Sequence, residues 1–403
     1  MEYLLTNVIS HYLDYDSLNE HCLSESHVIE KLIFEANEHQ LFCLIYDYLN
    51  KYKKNETDIL SKYRSLAYQQ VLNCKRRTKF ALKVFEFLNK SDVDYVSLKG
   101  ITFKRLYPNP DLRLMSDIDI YVKPEKLDIA VKVLEKVGYS IDVVKEHECN
   151  LYLTHPAGIA IELHHKLFSD SIFGDKHYLE TVLFDDVEVI NFCNTEIKVP
   201  SKEKALAYSM LHMTKHFAVT GFGVRQLLDI TLFLDKYENV LDLYVVRDIF
   251  EKYDVLFFAG YLLEICNRSF NRKFHIFEVN IDEEKLNDIF DRIKNAGVYG
   301  HRNIENDIES EYLLRSQSSS GKLKNPMVTK VQLLFPKSNK LGERYLYARK
   351  NKLLLPFAWS HRLIYNVFSQ NENVKRLVKT TPDSTDLNNR LELLKYFNLE
   401  KKF

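Results

Sequence analysis

Glycine and proline are scarce in this chain, with 11 and 9 among 403 residues, whereas tyrosine and phenylalanine number 25 each. Glycine and proline are the residues that most often mark turns. Their scarcity predicts long helices and few hairpins. The length predicts two or three domains, or one domain with large helical additions.

Cysteines are also few, and no two of them stand in a C-x-x-C pattern: Cys22, Cys43, Cys74, Cys149, Cys193 and Cys266. This scatter argues against a zinc site and against a disulfide-stapled fold. The first 16 residues lack the basic start of a signal peptide. The apolar run Val255–Leu263 is far shorter than the ~20 residues that span a bilayer. We expect a soluble cytoplasmic protein with no membrane contact.

An excess of one charge is absent, because Lys plus Arg and Asp plus Glu both total 56. A balanced chain is not one built mainly to bind the nucleic acid backbone. A local basic patch at Lys75–Arg77 keeps nucleic acid open as a partner. A solvated helix face is the simpler interpretation of that patch.

The patterning predicts an α+β fold, with a mixed sheet core flanked by N-terminal and C-terminal helical regions. Apolar residues recur at helical spacing from Val28 to Ala36, which is typical of a packed helix. We expect four regions: an N-terminal helical region over 1–90, an α/β core over 91–200, a helical domain over 201–310 and a C-terminal helical or extended cap over 311–403. The cap could serve as a lid or an acceptor surface, although plain packing is the simpler interpretation.

The chain centres on the stretch 95–122, where Asp117 and Asp119 share one face of a predicted strand. Two neighbouring carboxylates repel unless a cation lies between them, and such oxygen ligands suit Mg²⁺. The alternative is a solvated edge strand. Upstream, a predicted strand ends at Lys99-Gly100 before a short helix, which is typical of an anion cradle. Arg113 adds a second positive charge.

A third carboxylate, Glu162, lies in the predicted strand Ile159–His164. A buried acid needs a partner, and a metal held by the two aspartates would be one. The alternatives are pairing with a basic residue or exposure to water. His164 and His165 point to opposite faces of this strand, so they do not chelate one ion together, and a histidine–metal site is disfavoured.

The later helices carry further polar candidates. His212 and His216 lie four residues apart, yet the glutamate of H-E-x-x-H is missing, so a pocket or core role is favoured over zinc. Arg225 and Asp229 have the spacing of an ion pair along one helix.

Several motifs stand in chain order: Leu98-Lys99-Gly100, Arg113, Ser116–Val122, Glu162-Leu163-His164, His212 with His216, Arg225 with Asp229, Phe335-Pro336 and Trp359–Arg362. Together they resemble the DNA polymerase β-type nucleotidyltransferase superfamily. Within it, the chain is most similar to the uncharacterised nucleotidyltransferase family that carries L-K-G where others carry G-S or G-G. The likeness covers roughly residues 79–362 and is most specific at the D-x-D motif.

The resemblance implies a nucleotidyltransferase fold with Asp117 and Asp119 on one strand and Glu162 on a neighbouring strand. It also implies transfer of a nucleoside monophosphate from an NTP, with ATP the expected donor, and release of pyrophosphate. On this hypothesis the three acids are catalytic and hold two Mg²⁺ ions, while Lys99, Gly100 and Arg113 bind the nucleotide.

The expected acceptor is an unidentified small molecule with a hydroxyl group. Its pocket is predicted from the remaining candidates: His164, His212, His216, Arg225 and Asp229. The alternatives are a catalytically silent nucleotide-binding or interaction protein on the same fold, and a toxin-like enzyme that modifies a protein or RNA.

Overall fold

The computed structural model describes residues 3–14, 23, 25–52, 57–142, 148–156, 158–169, 173–174, 176–297, 331, 334–338, 341, 345–368 and 384–400. The predicted cap therefore lies partly outside the described residues. No helix within these ranges is long and apolar enough to cross a membrane.

The N-terminal region is helical, as predicted. Its helices are α1 (Leu4–Leu13), α2 (Ser26–Glu38), α3 (Phe42–Tyr52) and α4 (Thr57–Asn89). The end of α4 buries one apolar stripe against the sheet, through Ala81, Val84, Phe85 and Leu88. These residues recur at spacings of three and four, which is the period of one helix face.

The core is a mixed five-stranded sheet in the order β1-β2-β5-β4-β3. Strands β2 and β5 run parallel, and the other neighbours are antiparallel. The strands are β1 (Tyr95–Ser97), β2 (Asp117–Val122), β3 (Ser140–Ile141), β4 (Asn150–Thr154) and β5 (Ala160–His164). The strands predicted around Asp117 and over Ile159–His164 are confirmed as β2 and β5.

Short helices join these strands. Helix α5 (Ile101–Lys104) follows β1, and α6 (Leu127–Lys136) follows β2 after a 3₁₀ turn that begins at Pro124. Helix α7 (Tyr178–Val182) precedes the hairpin of β6 (Glu188–Phe192) and β7 (Thr195–Val199).

Alternation along the strands separates two faces of the sheet. Ile118, Ile120, Ile161 and Leu163 are completely buried in a cluster that includes residues of α4 and α6. The acids of β2 and β5 occupy the alternate positions, and so they lie on the opposite face. The face that carries the acids also carries Tyr121, which is buried in a second apolar cluster.

Helices from the second half of the chain complete the fold: α8 (Lys202–Val219), α9 (Val224–Tyr237), α10 (Leu243–Lys252), α11 (Leu256–Phe270), α12 (Glu283–Ala296), α13 (Leu346–Lys350), α14 (Leu355–Phe368) and α15 (Ser384–Tyr396). Residues of α8 to α12 share one apolar cluster with α1 to α3. On α11, Phe257 and Tyr261 contact Tyr396, the last residue of α15, and the ring of Tyr261 also meets that of Phe397 edge-on. The division into four regions remains a prediction, and this one apolar cluster contains residues of both the first and the third region.

Candidate active site

Strands β2 and β5 bring the three predicted acids together. Their parallel register places Asp119 beside Glu162, and Asp117 beside Ala160. Asp119 is 3% exposed, whereas Asp117 and Glu162 are half-buried. Two strands that are separated by almost forty residues in the chain thus form one acidic patch.

Asp119 is the centre of a compact polar cluster. Its Oδ1 lies 3.0 Å from Lys99 Nζ and 3.3 Å from His164 Nε2. His164 Nε2 also lies 3.4 Å from Glu162 Oε2, and Asn150 Nδ2 donates to that same oxygen at 3.0 Å. His164, which the sequence placed in the acceptor pocket, is therefore in direct contact with two of the acids.

The acids differ in their pKa because their neighbours differ. Burial would raise the pKa of Asp119, but the charges of Lys99 and His164 outweigh it and hold this pKa well below its usual range. Burial, followed by the charges of Asp119 and Glu162, raises the pKa of Asp117 to about 6. Burial alone would also lower the pKa of His164, yet its hydrogen bonds to Asp119 and Glu162 raise it. The cluster therefore attracts positive charge.

The Lys99-Gly100 turn follows β1 and supplies the lysine. Gly100 has φ +67°, and a Cβ there would lie 3.3 Å from Met115 Sδ, so this turn requires glycine. Helix α5 has only four residues, and therefore the predicted helix-based anion cradle is slight. Lys99 is the group that this turn contributes, and its Nζ lies 2.9 Å from His212 Nε2.

Helix α8 supplies the rest of the site from one face. His212 Nε2 lies 3.2 Å from His216 Nε2, so Lys99 links both histidines to the acids. Burial, and then the charge of Lys99, lowers the pKa of His212 well below its usual value, so this imidazole is neutral.

Two residues that sequence reasoning missed lie on this face of α8. The Tyr208 hydroxyl is fully buried and has no hydrogen-bond partner among the described residues, and the charges of Asp119 and Glu162 act on it. The Lys215 amine has no hydrogen bond or ion pair to any residue that the structure describes, and the same two acids act on it. Their spacing from His212, at i−4 and i+3, is the signal that would have found them.

Arg113 and Asp229 belong to a different cluster. Arg113 Nε and Nη2 bind both oxygens of Asp229, at 2.8 and 2.7 Å. Tyr107 donates its hydroxyl hydrogen to Asp229 Oδ1 at 2.8 Å. Arg113 is only 4% exposed, so it cannot reach a ligand in the acidic patch without breaking this pair. We infer that this pair joins the core to α9, contrary to the predicted phosphate role of Arg113.

Arg225 was predicted as the partner of Asp229, and the structure instead gives that place to Arg113. Arg225 Nη1 donates to Gln40 and to the carbonyl of Leu114. Its charge also lowers the pKa of Asp117, against the larger effect of burial, so it lies near the acidic patch.

The described residues contain one group of side chains whose ligand atoms could hold a metal ion: Asp119, Glu162 and His164, with ligand atoms within 4.8 Å of one another. Asp117 is not part of this group, although the sequence predicted it as a ligand. The donor set of two carboxylates and one imidazole fits a divalent cation.

Comparison with solved structures finds two distant likenesses. The first is the lincosamide antibiotic adenylyltransferase LnuA, bound to lincomycin, at 18% identity and TM-score 0.28, covering 38% of this chain and 94% of that one. The second is an antigenic nucleotidyltransferase-like protein from Paracoccidioides brasiliensis, at 14% identity and TM-score 0.29, covering 49% and 98%. At these scores neither likeness supports a statement about function.

No curated protein matches the chain. A family model described as "Uncharacterised nucleotidyltransferase" matches residues 26–271. This range runs from α2 to the end of α11, and it contains the whole sheet and every residue of the acidic patch. Since the match covers more than half of the 403 residues, the chain belongs to this nucleotidyltransferase family.

Proposed function

We propose that the protein transfers a nucleoside monophosphate from an NTP, with ATP as the donor, to a hydroxyl group of a small-molecule acceptor, and that it depends on Mg²⁺ or another divalent cation. The observation that carries this proposal is the register of β2 and β5, which places Asp119 beside Glu162 with Asp117 two residues away. The family match supports nucleotidyl transfer as the reaction class.

Asp119 and Glu162 would hold the cation, joined by Asp117 or His164. A divalent ion supplies positive charge that draws the triphosphate to the acids and offsets the charge of the leaving pyrophosphate. Asn150 donates a hydrogen bond to one oxygen of Glu162, and the other oxygen would receive the proton of the acceptor hydroxyl. In the reaction the hydroxyl oxygen bonds to the α-phosphorus, the bond from that phosphorus to the pyrophosphate oxygen breaks, and the hydroxyl proton passes to a carboxylate.

Cationic side chains surround the acids and would receive the triphosphate. Lys99 contacts Asp119 directly, Lys215 lies within the field of Asp119 and Glu162, and Arg225 lies near Asp117. Lys99 thus contacts the acids directly, whereas Lys215 and Arg225 interact with them through charge. A metal–triphosphate complex carries a net negative charge, so it needs such compensation when it leaves water.

One observation favours the alternative of a catalytically silent nucleotide-binding protein. The Lys99 ammonium already pairs with Asp119, the most buried of the three acids, and so a cation must displace it. If a cation displaces Lys99 from Asp119, His212 remains as a partner, because its Nε2 lies 2.9 Å from Lys99 Nζ. Transfer to a protein or an RNA would follow the same chemistry, with a macromolecule in place of the small-molecule acceptor.

Pyrophosphate release tests the proposal. The four NTPs are incubated with Mg²⁺ or Mn²⁺ and a library of hydroxyl compounds, with wild-type protein, Asp119→Asn, and Asp128→Asn as the control. Asp128 is an exposed acid of α6 in the same core. We expect metal-dependent release with one NTP in wild type and in Asp128→Asn, and its loss in Asp119→Asn. Metal-dependent NTP binding without release would favour the silent protein.

A further inference from the structure

We propose that Asp119, Glu162 and His164 form a mixed carboxylate–imidazole site that binds one first-row transition-metal ion in preference to Mg²⁺. Binding of the ion does not depend on the proposed function, whereas a catalytic use of the ion rests on it. The predicted site was built from carboxylates alone. The imidazole changes which ion the site prefers, because nitrogen ligands suit transition metals and oxygen ligands suit Mg²⁺.

The spacing of the ligand atoms fits a small divalent ion. His164 Nε2 lies 3.3 Å from Asp119 Oδ1 and 3.4 Å from Glu162 Oε2. Metal–ligand bonds of about 2.0–2.2 Å give neighbouring ligands a separation of roughly 3.0–3.5 Å in octahedral or tetrahedral shells. The two distances fall in that range, and all three ligand atoms lie within 4.8 Å of one another.

The pairing of β2 with β5 places the His164 imidazole beside the two acids. Glu162 and His164 are two residues apart on β5, so they share its polar face, and Asp119 faces them from β2. His164 is 5% exposed, and the backbone of a central strand holds it. Its Nε2 contacts both acids, while no other histidine of the described residues lies within the group.

A second observation concerns a buried polar group on which the charges of the same two acids act. The Tyr208 hydroxyl is 0% exposed, has no partner among the described residues, and lies close enough to Asp119 and Glu162 for their charges to act on it. A buried hydroxyl without a partner costs about 1–3 kcal/mol and calls for an explanation. A water or substrate oxygen held by the ion would provide the missing hydrogen bond.

The competing account is that Lys99 and a protonated His164 neutralise the acids permanently. The Lys99 side chain is 24% exposed, and His212 offers it an alternative acceptor, so Lys99 is able to leave Asp119. On the competing account no ion binds at all, and that difference is measurable without any nucleotide.

The test uses the full chain after treatment with a chelator. Mn²⁺ binding is measured by electron paramagnetic resonance, alone and in competition with Mg²⁺, for wild type, His164→Gln and His165→Gln. His165 is the matched control because it follows His164 in the chain and leaves the group intact. We expect one Mn²⁺ site in wild type with at least a tenfold preference over Mg²⁺, a loss of tenfold or more in Mn²⁺ affinity in His164→Gln, and no change in His165→Gln. Equal Mn²⁺ affinity in wild type and His164→Gln, or no Mn²⁺ binding in wild type, would overturn the proposal.

Two further measurements test the proposal even if His164→Gln fails to fold. Pulsed spectra of Mn²⁺ bound to wild type should show coupling to a ¹⁴N nucleus, and its absence contradicts imidazole ligation. His164→Asp converts the site to three carboxylates and should shift its preference toward Mg²⁺ at least tenfold. An Mn²⁺ site without pyrophosphate release would refute the proposed function alone, whereas Mg²⁺-dependent transfer that His164→Gln leaves unchanged would refute only the transition-metal site.

Discussion

The protein buries two clusters of opposite charges, one around Asp229 and one around Asp119. In the first, Arg113 binds both oxygens of Asp229 and Tyr107 completes the set. In the second, Asp119 contacts Lys99 and His164, while the Tyr208 hydroxyl, on which the charge of Asp119 acts, has no described partner. The first cluster is closed, because its polar side chains bind one another, whereas the second is open, because it includes polar groups without a described partner.

This difference separates a structural role from a chemical one. A closed network of hydrogen-bonded charges holds elements together and offers nothing to a ligand. A network with a surplus hydroxyl, a surplus amine at Lys215 and an acid of raised pKa at Asp117 retains groups that a ligand would satisfy. Perturbed groups of this kind gather at functional sites.

The largest expected effect comes from opening the closed cluster. Arg113→Met leaves Asp229 buried without its bidentate partner, and we expect a loss of about 3–5 kcal/mol in the free energy of unfolding. Denaturant unfolding measures it. Arg247→Met is the control, because it breaks only the exposed pair with Glu251 and should cost under about 1 kcal/mol. An Arg113→Met protein that keeps its stability and loses NTP binding would restore the phosphate role predicted for Arg113.

The next effect falls on turnover rather than stability. Asp119→Asn removes the charge at the centre of the open cluster, and we expect at least about a hundredfold lower kcat/KM. The fold should survive, because Lys99 keeps His212 as a partner and His164 keeps Glu162. Steady-state kinetics and circular dichroism together check this prediction. A variant that unfolds like Arg113→Met would mean that the two clusters share one structural role.

A smaller effect is expected on nucleotide affinity. Lys215→Gln removes an amine without a described partner, and we expect about tenfold weaker NTP binding, or roughly 1.4 kcal/mol. The exposed Lys132→Gln on α6 should change nothing. Isothermal calorimetry measures both variants. Unchanged affinity in Lys215→Gln would remove α8 from the nucleotide site.

The smallest effect is a gain in stability that depends on pH. The pKa of Asp117 is raised from 3.8 to about 6, so between these values the folded protein binds more protons than the unfolded one, and stability falls as pH rises. Asp117→Asn removes this cost. We expect its Tm to exceed that of wild type by about 1–3 °C above pH 6, and the gain to vanish below about pH 4.

Thermal unfolding across this pH range, in the presence of a chelator, measures that gain. A gain that persists at low pH would show that ionisation of Asp117 is not its cause.

The secondary structure of the site was predictable because its signals are local. Alternating apolar residues predicted β2 and β5, and the Lys99-Gly100 turn was placed correctly after β1. The shared face of Asp117 and Asp119 follows from the period of a strand. The family resemblance was likewise carried by these short stretches, and the match over residues 26–271 confirms it.

Contacts between distant elements were not predictable from one sequence. Arg113 and Asp229 stand 116 residues apart, so the sequence offered Arg225 as the nearer partner. The sequence also disfavoured His164 as a metal ligand, because the only ligand pair considered for it was the adjacent His165. The parallel pairing of β2 with β5 places Asp119 beside Glu162, and His164 is the next residue on that face of β5, with its Nε2 3.3 Å from Asp119 Oδ1. No local pattern specifies that pairing.

The most direct test of the open cluster is calorimetric titration of wild type and Asp119→Asn with each NTP, with and without Mn²⁺ or Mg²⁺. We predict that wild type binds one NTP in a metal-dependent manner, and that Asp119→Asn loses this binding while Arg247→Met retains it. Binding that ignores the metal, or that survives in Asp119→Asn, would contradict the assignment of the acidic patch as a metal–nucleotide site.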